Sequence, residues 1–114
     1  MLRKYLVEYK VRGRENRKYI TVVEGYYKEE IESKFFASRG NKFELFTVTN
    51  IIPIRKRLFE RKKMYRVEGE SLLRGNIFRM TVEYYEVKNM AEAIQSFEES
   101  YKWYELQIYS VRRC

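Results

Sequence analysis

The chain carries a partial copy of itself. KYLVEYKVRGRENRKYITVVEG, from Lys4, comes into step with MYRVEGESLLRGNIFRMTVEYY, from Met64, when one is slid along the other by 60 positions. Tyr5 then meets Tyr65, Val7 meets Val67, Glu8 meets Glu68, Arg14 meets Arg74, Asn16 meets Asn76, Thr21 meets Thr81 and Val22 meets Val82. Further on, Lys42 meets Lys102, Phe43 meets Trp103, Val48 meets Ile108 and Ile51 meets Val111. The identities are few, but the apolar positions keep step. Such a repeat constrains the fold strongly, because a unit of about 50 residues buries too little surface to stand alone and must share a core with its copy.

Each copy has one local pattern. Tyr5, Val7, Tyr9 and Val11 alternate with Leu6, Glu8, Lys10 and Arg12, the period of two of a half-buried strand. A polar turn, GRENR at 13–17, leads into the β-branched KYITVVE, so the pair reads as a hairpin. KEEIESKFFAS (28–38) predicts a helix with glutamates in its first turn and Ile31, Phe35 and Phe36 as its apolar stripe, stopped by Gly40 and Asn41. KFELFTVTNIIPI is a third strand that ends at Pro53. The second copy gives a strand from Met64, a turn at Arg74-Gly75-Asn76, the strand IFRMTVEYYEV, a helix KNMAEAIQSFEESY and a closing strand WYELQIYSV. Met90, Ile94, Phe97 and Tyr101 share one face of that helix, which sits about three residues out of step with the offset of 60.

The expected fold class is α+β: an internal duplication of a ββαβ unit, mainly antiparallel sheet, with two helices packed on one face. The expected organisation is a first half at 1–54, a basic connector at 55–63 and a second half at 64–114, forming one compact domain related by a pseudo-two-fold. Whether the halves form one sheet or two stays open. Periodicity assigns Tyr5, Val7, Val22 and Phe97 to the core.

In this order of elements, in FTVTNI (Phe46–Ile51), in AEAI (Ala91–Ile94) and in YELQIYSV (Tyr104–Val111), the chain resembles a family of small proteins of unknown function. They occur in Bacteroides-type bacteria and their crAss-like phages. The resemblance implies tandem ββαβ halves and a phage or bacterial setting, and brings no activity with it.

Chemistry is constrained by what is missing. There is no histidine, all sixteen acidic residues are glutamate, and the one cysteine, Cys114, is the last residue. Acid–base switching near neutral pH and metal binding draw mostly on the absent types. No P-loop, GxGxxG, HExxH or CxxC occurs. Glu29-Glu30 and Glu98-Glu99 are neighbours on helices and diverge by about 100°. The expectation is a non-enzymatic protein with no catalytic residues, no cofactor and no metal. The N-terminal MLRKYLVEYK lacks the apolar core of a signal peptide, and no apolar run approaches a membrane span, so a cytoplasmic location in a bacterium or phage-infected cell is expected.

Of the net charge of +8, the segment RKRLFERKK (55–63) holds +5, residues 1–54 hold +4 and residues 64–114 hold −1. Cations gathered in this way bind phosphate backbones by counterion release, and aromatics among them suit single strands, whose bases can stack. The candidate phosphate contacts are Arg12, Arg14, Arg17 and Lys18 of the first hairpin and Arg55, Lys56, Arg57, Arg61, Lys62 and Lys63 of the connector. Tyr9 and Tyr19 are the stacking candidates, and Tyr26 and Tyr27 lie near these charges in sequence. Leu58 and Phe59 interrupt the connector and are expected to dock on the body and pin it. The expected partner is nucleic acid, single-stranded DNA or RNA favoured. The alternative is a protein-interaction module, a virion component or a modulator of a host protein, that uses its sheet edges and basic surface to meet an acidic protein partner or a second copy.

Overall fold

In the computed structural model, which describes residues 1–72, 78–101 and 106–114, alternation along two central strands builds two cores. The chain separates into units Met1–Lys56 and Arg57–Cys114. In the first, β1 (Arg3–Val11) lies between β2 (Tyr19–Gly25) and β3 (Phe46–Pro53), antiparallel to both. Tyr9 faces Tyr19 on one side, and Val11 faces Phe46 on the other. Period two sends Tyr5, Val7, Tyr9 and Val11 inward and leaves Leu6, Glu8 and Lys10 half-buried. Helix α1 (Ile31–Ser38) covers the inward face with Ile31, Phe35 and Phe36. The rings of Tyr9 and Phe35 stand 4.8 Å apart, Tyr9 and Phe46 5.7 Å, and Phe35 and Phe46 5.8 Å. Such contacts contribute about 0.5–1.5 kcal/mol each beyond the area they bury. The Arg39 guanidinium closes the cluster, 4.4 Å from the Phe35 ring centre, and donates to the Tyr9 hydroxyl at 3.3 Å.

The ends of α1 follow from local chemistry. A single 3-10 turn, Lys28–Glu30, leads into it. The Glu30 carboxylate accepts from the backbone N–H groups of Tyr26 and Tyr27. The Tyr26 bond, with Tyr27 and Lys34 adding to it, holds that carboxyl below its ordinary range. At the other end the Gly40 N–H donates to the Ala37 carbonyl at 3.4 Å and the Asn41 N–H to the Phe36 carbonyl at 2.8 Å. Gly40 and Asn41 are both left-handed, at φ 67° and 55°, which is the double bond pattern that ends a helix on a glycine.

In the second unit β4 (Lys63–Leu72) is the middle strand, between β5 (Phe78–Val87) and β6 (Leu106–Arg113), again antiparallel to both. Tyr65, Val67 and Ile108 form the inward face. Helix α2 (Met90–Ser100) lies on it with Ala91, Ala93, Ile94 and Phe97 buried. The Phe97 ring occupies the space over Gly69. A Cβ on Gly69 would stand 2.9 Å from two ring carbons of Phe97 and 3.2 Å from the Gln107 carbonyl oxygen.

The fold expectation needs correction. The protein is built mainly on six antiparallel sheet strands, with 48% strand and two short helices, and a duplicated ββαβ unit is not what it shows. Agreement at the offset of 60 is confined to the order of elements and to the register of the central strand with the last, where Tyr5 faces Pro53 and Tyr65 faces Arg113. The hairpins differ: the offset would carry the Tyr9–Tyr19 pair to Gly69 and Arg79, but Gly69 faces Thr81. The helices differ as well, one with eight residues after a 3-10 turn, the other with eleven after an asparagine cap. The cores differ at their centres, Tyr9 in one and Gly69 under Phe97 in the other. Each helix packs on strands of its own unit. Alternating Val and Tyr recur in any half-buried strand, which is why a few in-step positions resembled a copy. Tyr5, Val7 and Phe97 are buried as expected, whereas Val22 faces Leu6 on the opposite side and is half-buried. The turn at Arg74-Gly75-Asn76 and the segment Trp103–Glu105 of the closing strand lie outside the described residues.

The close approach of Phe97 to Gly69 has a measurable consequence. Gly69→Ala is expected to destabilise the protein by about 1–3 kcal/mol, the range for overpacking a filled core, as read by the urea midpoint.

Candidate nucleic-acid interface

Between β3 and β4 the chain has no regular secondary structure from Ile54 to Lys62. Its start is tied to the first unit, where the Ile54 N–H donates to the Lys4 carbonyl at 3.0 Å. Its far end is tied within the second unit by the connector's one acidic residue. Lys63 opens β4 opposite Val87, the last residue of β5, so the residues before it run beside the 88–89 turn into α2. There the Asn89 side-chain amide donates to Glu60 Oε2 at 2.7 Å. The same Asn89 caps α2, its Oδ1 accepting from the Glu92 N–H at 2.9 Å. The carboxylate of Glu60 therefore sits at the helix end where negative charge is favoured.

Leu58 and Phe59 do not pin the connector. They are 94% and 96% exposed. The contact that anchors the segment belongs to their polar neighbour Glu60, and no apolar surface among the described residues covers the pair. The expectation of docking is corrected accordingly.

The connector cations are uncommitted. Arg55, Lys56, Arg57, Arg61 and Lys62 are exposed and Lys63 is half-buried, and none of them joins an ion pair among the described residues. Some cations elsewhere are engaged. Lys34 pairs with Glu30 at 3.5 Å. Arg66 and Arg112 both pair with Glu68. Burial there works against ionisation, but the Tyr109 hydroxyl and the two guanidinium groups prevail and hold the Glu68 carboxyl below its ordinary range.

The hairpin candidates are intermediate. Arg12 is exposed, Arg14 and Arg17 are half-buried and engaged, and Lys18 pairs with Glu8 at 3.4 Å. Glu15 answers this charge locally: it accepts from the Gly13 N–H at 2.9 Å. That bond, with its own N–H, Arg12 and Lys10, keeps its carboxyl below the usual range. Arg12, Arg14, Arg17 and Lys18 are thus gathered at one hairpin end of the first unit, which also holds Arg55 and Lys56. Arg57, Arg61, Lys62 and Lys63 belong to the second.

Tyr9 and Tyr19 are corrected as stacking residues. Both are 0% exposed, packed against each other at 5.8 Å in the core of the first unit. The same alternation that marks them as strand residues turns them inward, and no base can reach their rings. Tyr26 and Tyr27 are exposed, but they follow Gly25, which pairs with Arg3 at the end of the hairpin away from its turn. Phe59 escaped notice as an exposed aromatic. Its signal was an apolar pair set between blocks of charge, with no strand or helix period to carry it inward.

Among the described residues no group of three or more potential metal ligands occurs, and no helix is long and apolar enough to cross a membrane. Neither a family model, nor a curated protein, nor a solved structure matches the chain.

The anchoring contacts predict how the connector responds to substitution. Asn89→Ala removes the α2 cap and the Glu60 anchor together and is expected to cost about 0.5–2 kcal/mol in chemical denaturation. Leu58→Ala and Phe59→Ala are expected to change stability by less than about 0.5 kcal/mol. A loss above about 1 kcal/mol from either would mean that the pair is docked after all.

Proposed function

We propose that this is a non-enzymatic nucleic-acid-binding protein, with single-stranded DNA or RNA as its favoured ligand and the connector 55–63 as its principal contact. It would act in the cytoplasm of a bacterium or phage-infected cell, as an accessory to nucleic-acid metabolism, the setting that the likeness of FTVTNI and AEAI to the phage and bacterial family implies. One observation carries the reading: six cations within nine residues, five of them exposed, and none in an ion pair among the described residues, whereas Lys18, Lys34, Arg66 and Arg112 are each paired with a glutamate. Uncommitted cations have no internal bond to break when a phosphate arrives, and each releases a condensed counterion on contact.

Fluorescence anisotropy with labelled oligonucleotides at low salt tests it. Micromolar affinity is expected, with log K falling against log salt by about 0.7 for each phosphate contacted on a single strand. Reversal to Glu at Arg55–Arg57 and Arg61–Lys63 should abolish binding and leave the circular dichroism spectrum unchanged. Absence of binding at micromolar protein, or affinity indifferent to salt, would sink the proposal.

A second reading rests on the outer strand β5. It is the edge of its sheet, and Met80, Val82 and Tyr84, at every second position, are exposed there. An open edge with an apolar row is a template for a strand of another protein or of a second copy. On this reading the connector would meet an acidic partner. Pull-down from lysate with and without nuclease separates the two readings: a partner retained after nuclease treatment favours β5, and one lost with the nucleic acid favours the connector.

A further inference from the structure

Phe59 has no role in either core, and its position is unusual for so large an apolar group. It is 96% exposed, yet it directly precedes Glu60, which the Asn89 amide holds at 2.7 Å. The ring is therefore displayed from a point one residue away from a fixed anchor. Such a mounting loses less freedom on binding than a free tether would. Arg57 and Arg61 lie two residues to either side, both exposed and both without ion pairs among the described residues. A flat apolar face between two cations, each on a long side chain, matches the repeating unit of a single strand, a base flanked by phosphates.

From this placement we infer that Phe59 is the stacking platform of the connector, receiving the face of an unpaired base while Arg57 and Arg61 hold the phosphates beside it. The inference rests on the nucleic-acid reading and sharpens it, because it moves stacking from the buried Tyr9 and Tyr19 to the connector itself. It also gives the single-strand preference a physical cause. Every base has a π face, so stacking tolerates any sequence. In a duplex those faces are covered by neighbouring base pairs, and exposing one requires the stack to be opened. Duplex DNA can meet the cations but offers Phe59 nothing to stack on. Leu58, 94% exposed, precedes Phe59 in the chain and has no π face of its own.

The test compares wild type, Phe59→Ala, Phe59→Leu and Phe59→Tyr on a single-stranded oligonucleotide and on the duplex of the same length, by anisotropy at several salt concentrations. Phe59→Ala is expected to weaken single-strand binding roughly 5- to 150-fold, the equivalent of about 1–3 kcal/mol per stacked base. Duplex affinity and the slope with salt should not change. Phe59→Tyr should retain most of the affinity, and Phe59→Leu should behave like Phe59→Ala, because leucine keeps the apolar surface and loses the ring. Equal losses on single strand and duplex, or full affinity in Phe59→Leu, overturn the inference. So does binding to anionic phospholipid vesicles that depends on Phe59 when oligonucleotide binding does not. If charge reversal of the connector abolishes binding and Phe59→Ala leaves it intact, the stacking role falls and the nucleic-acid reading stands. If wild type binds neither oligonucleotide, both fall.

Discussion

Each unit depends on a central strand that is hydrogen-bonded along both edges. β1 has β2 and β3 beside it, and β4 has β5 and β6. With both edges occupied, the backbone donors and acceptors are satisfied and the strand cannot rotate, so the pleat alone decides which side chains go inward. Tyr5, Val7, Tyr9 and Val11 are buried for this reason, and so are Tyr65 and Val67. The helices then fit what the strands present. Where the centre is Tyr9, α1 brings Phe35 and Phe36 against a ring. Where it is Gly69, α2 brings Phe97 down onto bare backbone.

Asn89 joins the packing of the second unit to its chemistry. One side-chain amide does two things: its oxygen accepts from the Glu92 N–H, one of the N–H groups left open at the start of α2, and its nitrogen donates to Glu60. With its one acid directed at a helix terminus, the connector presents cations and an exposed Leu-Phe pair. The contrast with Glu8, Glu15 and Glu68 is informative. Those glutamates sit among cations and draw them into pairs or screen them locally, whereas Glu60 accepts from Asn89 and pairs with no cation among the described residues.

Much of this was legible beforehand because it depends on local periodicity and local capping. The strands around Tyr5–Val11 and Phe46–Pro53, the helix stop at Gly40-Asn41 and the apolar face of α2 all follow from patterns spanning a few residues. The connector's charge was legible too, since it is a matter of counting. The likeness of the two halves was legible but misleading. A shared strand period does not distinguish a common hairpin register from two different ones, and the Gly69–Thr81 pairing settles against the simple copy.

The sequence by itself determined where strands and helices run, which strand faces are apolar, and that most of the positive charge lies within nine residues and one hairpin. Only the tertiary structure decided what those groups do. It buried Tyr9 and Tyr19, left Leu58 and Phe59 bare, and gave Glu60 a partner 29 residues further along the chain. The physical reason is that burial of an aromatic ring and the partner of a carboxylate are set by contacts between elements remote in sequence. A local pattern states that a side chain has a face to turn, and only packing supplies what lies opposite.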